Sequence, residues 1–217
     1  ITTPTHSTYG ASFPGSPAVI IGFNDSLAWG VTNAGRDVFD YYEIKFKDTT
    51  ENEYWFNGAW KATTKRKEVI KVKDSLDVVE EIAMTHWGPT MFDAHYQNTQ
   101  SNGRNLAVQW TALNSSTGVE TFYLLNRAKN YDDYLQAISL WTCPGQNFVL
   151  ATKSGDIAIK QQGSFVARWE RQGDFIMPGE DTSFQWQGII PTNENPMIKN
   201  PERGFVSSAN QKSTDAR

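Results

Sequence analysis

Apolar and polar residues alternate in short runs along most of the chain, and Asn, Gly, Asp and Ser punctuate the runs. A period of two marks half-buried strands, and closely spaced turn residues join such strands into hairpins. Val19 to Phe23 and Leu27 to Thr32 flank Asn24, Asp25 and Ser26, which predicts a hairpin with a three-residue loop. Tyr54 to Phe56 and Ala59 to Lys61 flank Asn57-Gly58, a pair that readily takes the left-handed conformations of a tight turn. Phe148 to Ala151 and Ile157 to Ile159, on either side of Lys153 to Asp156, predict a third hairpin.

The period lengthens in one region only. Val119, Phe122 and Tyr123, with Leu124 and Leu125, recur as on a helix with one apolar face, and Ser115 to Thr117 are placed to cap it. A second helix is predicted with Asn130 as its N-cap, Asp132 and Asp133 in its first turn, and Leu135, Ile138 and Trp141 facing inward. Pro144 and Gly145 would end it. From Gln172 onward Pro, Asn and Gly are frequent, which predicts long ordered surface loops anchored by Trp186 and Ile189-Ile190. These elements make a strand-rich α+β protein with two helices, read as a single domain over residues 1–217.

Composition narrows the partners. Hydrophobic residues are 39% of the chain, and apolar runs such as Val19-Ile20-Ile21 are strand-sized, so no membrane partner is expected. The net charge is −4 and the one basic cluster, Lys61 to Lys67, is interrupted by Thr63 and Thr64, which argues against nucleic acid. Cys143 is the lone cysteine, so no internal disulfide forms. Gly-x-Ser-x-Gly and phosphate-loop motifs are absent, and His6, His86 and His95 lack zinc spacing. Eight tryptophans leave one non-catalytic alternative, a β-rich module that binds glycans on an aromatic face.

Two segments remain. Ala28 to Asp37 starts as an aromatic strand and ends in Asn33-Ala34-Gly35, small residues that bare the backbone. Asp37 and Asp40 follow, a carboxylate pair of the type that binds hard cations, or that pairs with Arg36 or caps a turn. The other segment, Asn200 to Gln211, contains Asn210, which reads either as a loop cap or as a side-chain amide donor.

Taken with Pro14-Gly15, Gly22 to Asp25, Trp29-Gly30, Asn147, Ser154 to Asp156, Pro178-Gly179, Trp186 to Pro191, Asn200-Pro201 and Gly204 to Asn210, this order and separation resemble the β-chain of the penicillin acylase family. That family belongs to the N-terminal nucleophile hydrolases. The resemblance runs from about Tyr9 onward and implies part of a four-layer αββα sandwich, with this chain supplying strands of both sheets and the two helices.

It also implies hydrolysis of a small acyl-amide substrate through an acyl-serine, the serine being freed by self-cleavage so that its own α-amino group takes its proton. Ile1 is not that serine, so the resemblance implies an internal β-chain fragment, inactive alone, whose partners are the α-chain and the remaining β-chain of one precursor. It assigns an oxyanion hole to the Asn33 backbone N–H and the Asn210 side-chain amide. A structural calcium ion (Ca2+) would be held by Asp37, the Phe39 carbonyl and Asp40, with a carbonyl near Gly173 in addition. Ile21, Val31 and Gln146 would line the acyl pocket, the first two as inward-facing strand residues, and the polar Gln146 argues against a phenylacetyl preference. The substrate could be a β-lactam or an acyl-homoserine lactone, and relatives point to a periplasmic or secreted location.

Overall fold

The structure, a computed structural model, describes residues 1–99 and 101–211. Numbered in chain order, the strands are β1 (Thr8–Ala11), β2 (Ile21–Asn24), β3 (Leu27–Asn33), β4 (Phe39–Glu43), β5 (Glu53–Phe56), β6 (Ala59–Ala62), β7 (Thr64–Ile70), β8 (Val78–Thr85), β9 (Gly88–Phe92) and β10 (Leu106–Trp110). After helices α1 (Glu120–Leu125) and α2 (Tyr131–Ile138) come β11 (Gln146–Thr152), β12 (Ile157–Gln162), β13 (Val166–Ala167), β14 (Met177–Pro178), β15 (Gly188–Ile189) and β16 (Met197–Lys199). The described residues divide into two compact units, those within 1–38 and 114–167 and from 188 onward forming the first and those within 39–113 and 168–187 the second.

The first unit is built on a six-stranded sheet of order β1-β2-β3-β11-β12-β16, antiparallel throughout. The expected β2–β3 hairpin forms because Asn24 Oδ1 accepts from Ser26 N at 2.8 Å and Leu27 N at 2.9 Å, closing the turn locally. Leu27 and Trp29 of β3, Phe148 and Leu150 of β11, and Phe122, Leu125, Tyr134 and Ile138 of the helices bury together as one core. Each contributes about 1.5–3 kcal/mol of transfer free energy.

The N-cap of α2 is as expected, with Asn130 Oδ1 accepting from Asp133 N at 2.9 Å. Two expectations for the helices fail. The N-cap of α1 is Val119, without a side-chain cap; backbone bonds from Glu120 N to Thr117 O and Thr121 N to Gly118 O do that work. The second helix stops at Ile138, and a tighter turn carries the chain on to Trp141, whose Nε1 donates to Pro144 O.

The second unit carries a six-stranded sheet of order β14-β4-β10-β9-β8-β7 and the separate β5–β6 hairpin. At the tip of that hairpin Asn57 (φ 51°) and Gly58 (φ 75°) are both left-handed, as the pair predicts. Tyr42, Ile44, Tyr54, Phe56, Trp87, Ala107 and Met177 form its core, with Tyr42 and Trp87 stacked 3.8 Å apart. The region after Gln172 contains more ladder than expected: β14 runs parallel to β4, and β16 extends the first sheet.

Candidate functional site

The register of β3 against β11 places Asn33 opposite Gln146. Ala34 N donates to Gly145 O at 2.9 Å, so the neighbouring pair is the hydrogen-bonded one. Antiparallel ladders alternate, and the main chain of Asn33 therefore faces away from β11. On that side β2 pairs β3 only through Gly22–Trp29 and Phe23–Ala28, well short of Asn33. The strand thus presents the Asn33 peptide beyond the end of its neighbour, and the side chain is folded back, with Oδ1 accepting from Gly35 N at 2.7 Å.

The segment near the carboxyl end is fastened to the same place. Asn147 is buried on β11, and its Nδ2 donates to Thr32 Oγ1 at 3.3 Å and Ser208 Oγ at 3.2 Å. Thr32 and Ser208 also share a hydroxyl–hydroxyl hydrogen bond. Two residues on, Asn210 takes a left-handed backbone (φ 64°), which Asn tolerates better than most residues, and its Nδ2 donates to Asn33 O at 3.2 Å. A carboxamide nitrogen has two hydrogens, so one is anchored on Asn33 while the other can be offered elsewhere.

Asn33 and Asn210 lie on the wall of a cavity of 520 Å³ that Ile21, Val31 and Gln146 also line. All five residues named from sequence for oxyanion and acyl binding are brought together. Ile21 corrects one expectation: it is 45% exposed and faces the cavity, while Ile20 packs against the core. Sequence reasoning missed Phe13, Phe122, Trp141 and Pro144, which give the cavity its aromatic and apolar wall. The link from Asn147 to Ser208 is likewise not legible in the sequence. Such a lining suits an apolar group attached to a polar one.

The carboxylates behave differently. Asp37 is exposed and lies in the first unit, whereas Asp40 is buried in the second, on β4. The Asp40 Oδ2 accepts from Arg168 Nη2 at 2.6 Å and from Trp186 Nε1 at 2.5 Å. Calcium needs six to eight oxygen ligands, and a guanidinium on the leading carboxylate puts positive charge inside that shell. Asp40 as folded does not suit a divalent cation, and among the described residues no group of three or more His, Cys, Asp or Glu could hold a metal. The Tyr42 hydroxyl is pushed upward by burial and then by the Asp40 charge.

Tryptophans do not line an open face: Trp29 and Trp87 are buried in separate units, and only Trp60 and Trp110 of the eight are exposed. Among the described residues no helix is long and apolar enough to cross a membrane.

The chain is 30% identical over 213 residues to an acyl-homoserine lactone acylase QuiP of Pseudomonas fluorescens, covering 98% of this chain and 26% of that protein. It is 22% identical over 199 residues to penicillin G acylase of Escherichia coli, covering 89% and 22% respectively. The chain therefore spans about a quarter of these relatives. A thermostable penicillin G acylase from Alcaligenes faecalis superposes with a TM-score of 0.83 at 24% identity, over 100% of this chain and 38% of that one. The fold is thus the α+β type of the N-terminal nucleophile hydrolases, as expected. The penicillin amidase family model matches residues 1–217, and the chain belongs to that family.

Proposed function

We propose that this chain is the oxyanion-binding and acyl-binding part of an amide hydrolase that works through an acyl-serine. The observation that carries the reading is the convergence of Asn33, Asn210, Ile21, Val31 and Gln146 on one cavity. A serine from outside these residues attacks the substrate carbonyl, and the carbonyl oxygen becomes an oxyanion. The Asn33 N–H and the second Asn210 Nδ2 hydrogen receive that charge. Preorganised donors matter most here, because they need no rearrangement as charge develops. Asn210 is preorganised by its bond to Asn33 O, and Asn33 by the ladder to β11. The tetrahedral intermediate collapses, the C–N bond breaks, and the amine leaves with a proton returned by the base that took it from the serine. Water then hydrolyses the acyl-serine by the same route.

The acyl group occupies the cavity between Ile21, Val31 and Trp141, with Gln146 as a polar side chain beside them. Acyl-homoserine lactones are favoured over phenylacetyl amides, on the greater identity to the lactone acylase and on that polar position. In this reading the nucleophile, an α-chain and the remaining β-chain are partners, and the 217 residues alone are inactive. Export to the periplasm belongs to the same proposal and rests on resemblance.

The test is to assay the mature enzyme with a series of acyl-homoserine lactones and with a phenylacetyl amide, with and without Asn210→Gly. Loss of turnover on all substrates supports the reading. Unchanged turnover removes Asn210 from the oxyanion hole, and amide hydrolysis by the 217-residue chain alone contradicts the division of labour.

A further inference from the structure

The buried pair Asp40–Arg168 is unexplained by the activity. Arg168 is 128 residues from Asp40 in sequence, yet its Nη2 lies 2.6 Å from Oδ2, and the two side chains are only 12% and 2% exposed. Trp186 Nε1 donates to the same oxygen at 2.5 Å, and the Arg168 guanidinium stands 6.0 Å from the Trp186 ring centroid. Arg168 Nη1 reaches the Gln172 carbonyl at 3.5 Å. Gly173 completes the setting. Its φ is +94°, and a Cβ there would lie 2.5 Å from Arg168 Nη1 and 2.7 Å from Asp40 Oδ1. A side chain at 173 would displace the pair, so the glycine both turns the chain and makes room.

We propose that the Arg168 guanidinium stands where the family resemblance puts a calcium ion, neutralising Asp40 and tying the Arg168–Trp186 segment to β4 without metal. The electrostatic demand is the same in both cases. A buried carboxylate needs a positive partner, and here a side chain of the same chain provides it, already desolvated and hydrogen-bonded on two faces. A divalent ion at Asp40 would meet a fixed positive charge at ion-pair distance, which cancels much of the attraction that would have to repay the ion's loss of hydration in so dry a setting. The inference concerns how this part of the fold is held, and it stands or falls independently of which amide is cleaved.

The experiment is calcium titration calorimetry and thermal unfolding of the mature protein, in chelator and in excess calcium. Wild type should show no stoichiometric calcium binding and the same Tm in both. Binding at sub-millimolar calcium, or a Tm lowered by chelator, overturns the proposal. Arg168→Ala should lower Tm by on the order of 10 °C. Arg168→Lys keeps the charge but not the fork geometry, so it should fall between the two and remain folded if Arg168→Ala is not. In a double-mutant cycle, adding Asp40→Asn to the Arg168→Ala protein should cost much less than Asp40→Asn alone. Strict additivity, or a Tm untouched by either arginine variant, would also overturn it.

Discussion

The side-chain amide of Asn210 donates to the main-chain carbonyl of Asn33 at 3.2 Å, joining residues 177 positions apart at the wall of one cavity. Both the backbone and the side chain of Asn210 are under constraint, since its φ of 64° excludes most residues comfortably and its carboxamide is the donor. Substitution can separate the two roles. Asn210→Gly keeps the left-handed backbone and removes the amide. Turnover of the mature enzyme should drop roughly a hundredfold to a thousandfold in kcat with KM little changed, as for other lost oxyanion donors. Asn210→Asp should be at least as damaging, because a carboxylate would face the developing oxyanion. Tm should move by no more than about 2 °C in either variant, Asn210 being exposed. A large fall in stability with kcat preserved per folded molecule would make Asn210 a loop cap.

Asn147 should behave in the opposite way. It is 1% exposed and links Thr32 of β3 to Ser208. Asn147→Ala leaves a cavity and removes both links, so it should destabilise by about 1–3 kcal/mol in urea unfolding. It should also lower kcat, because the Ser208–Asn210 segment loses one of the bonds that hold it, leaving the Thr32–Ser208 and Asn210–Asn33 contacts. The paired signature, stability and kcat falling together, distinguishes a positioning residue from a donor that touches substrate.

Local chemistry was legible in the sequence, and distant pairing was not. Asn57-Gly58 and Asn24 announced their hairpins because the turn is decided within four residues. Asn130 announced α2 for the same reason: its cap bond spans three positions. The side-chain cap expected for α1 from Ser115 to Thr117 does not form, because backbone bonds to Thr117 and Gly118 take its place. The strands β14 and β15 have two residues each and β16 has three, too short to show a period, and each pairs with a partner far along the chain. Asp40 was visible as a carboxylate, but nothing near it in sequence pointed to Arg168 or Trp186.

The acyl cavity offers a change of selectivity. Gln146 is the polar side chain among Ile21, Val31 and Trp141, opposite Asn33 on β11. Gln146→Leu should raise kcat/KM for long apolar acyl chains relative to short or hydroxylated ones by about tenfold, the scale of a modest change in pocket polarity. A competition assay with two acyl-homoserine lactones of different chain length measures it directly. An unchanged ratio would place the acyl chain elsewhere.

Glu51 gives the pH dependence of stability. It is buried, with a left-handed backbone (φ 55°), and its carboxyl is raised first by burial and then by the charge of Asp93, against a smaller pull from Lys65 at 3.8 Å. A raised folded-state pKa means that the folded chain binds more protons than the unfolded chain as soon as pH enters the ordinary glutamate range. This contribution is therefore fully present below that range and is lost as pH rises through the folded value, after which it is constant. Glu51→Gln keeps the shape without the ionisation. It should flatten that part of the stability profile and leave the variant more stable than wild type at neutral pH, relative to their difference at acid pH. Chemical unfolding of both proteins across that pH range checks the sign, and a wild-type profile that rises with pH relative to the variant would show that Glu51 is stabilised as the carboxylate by Lys65.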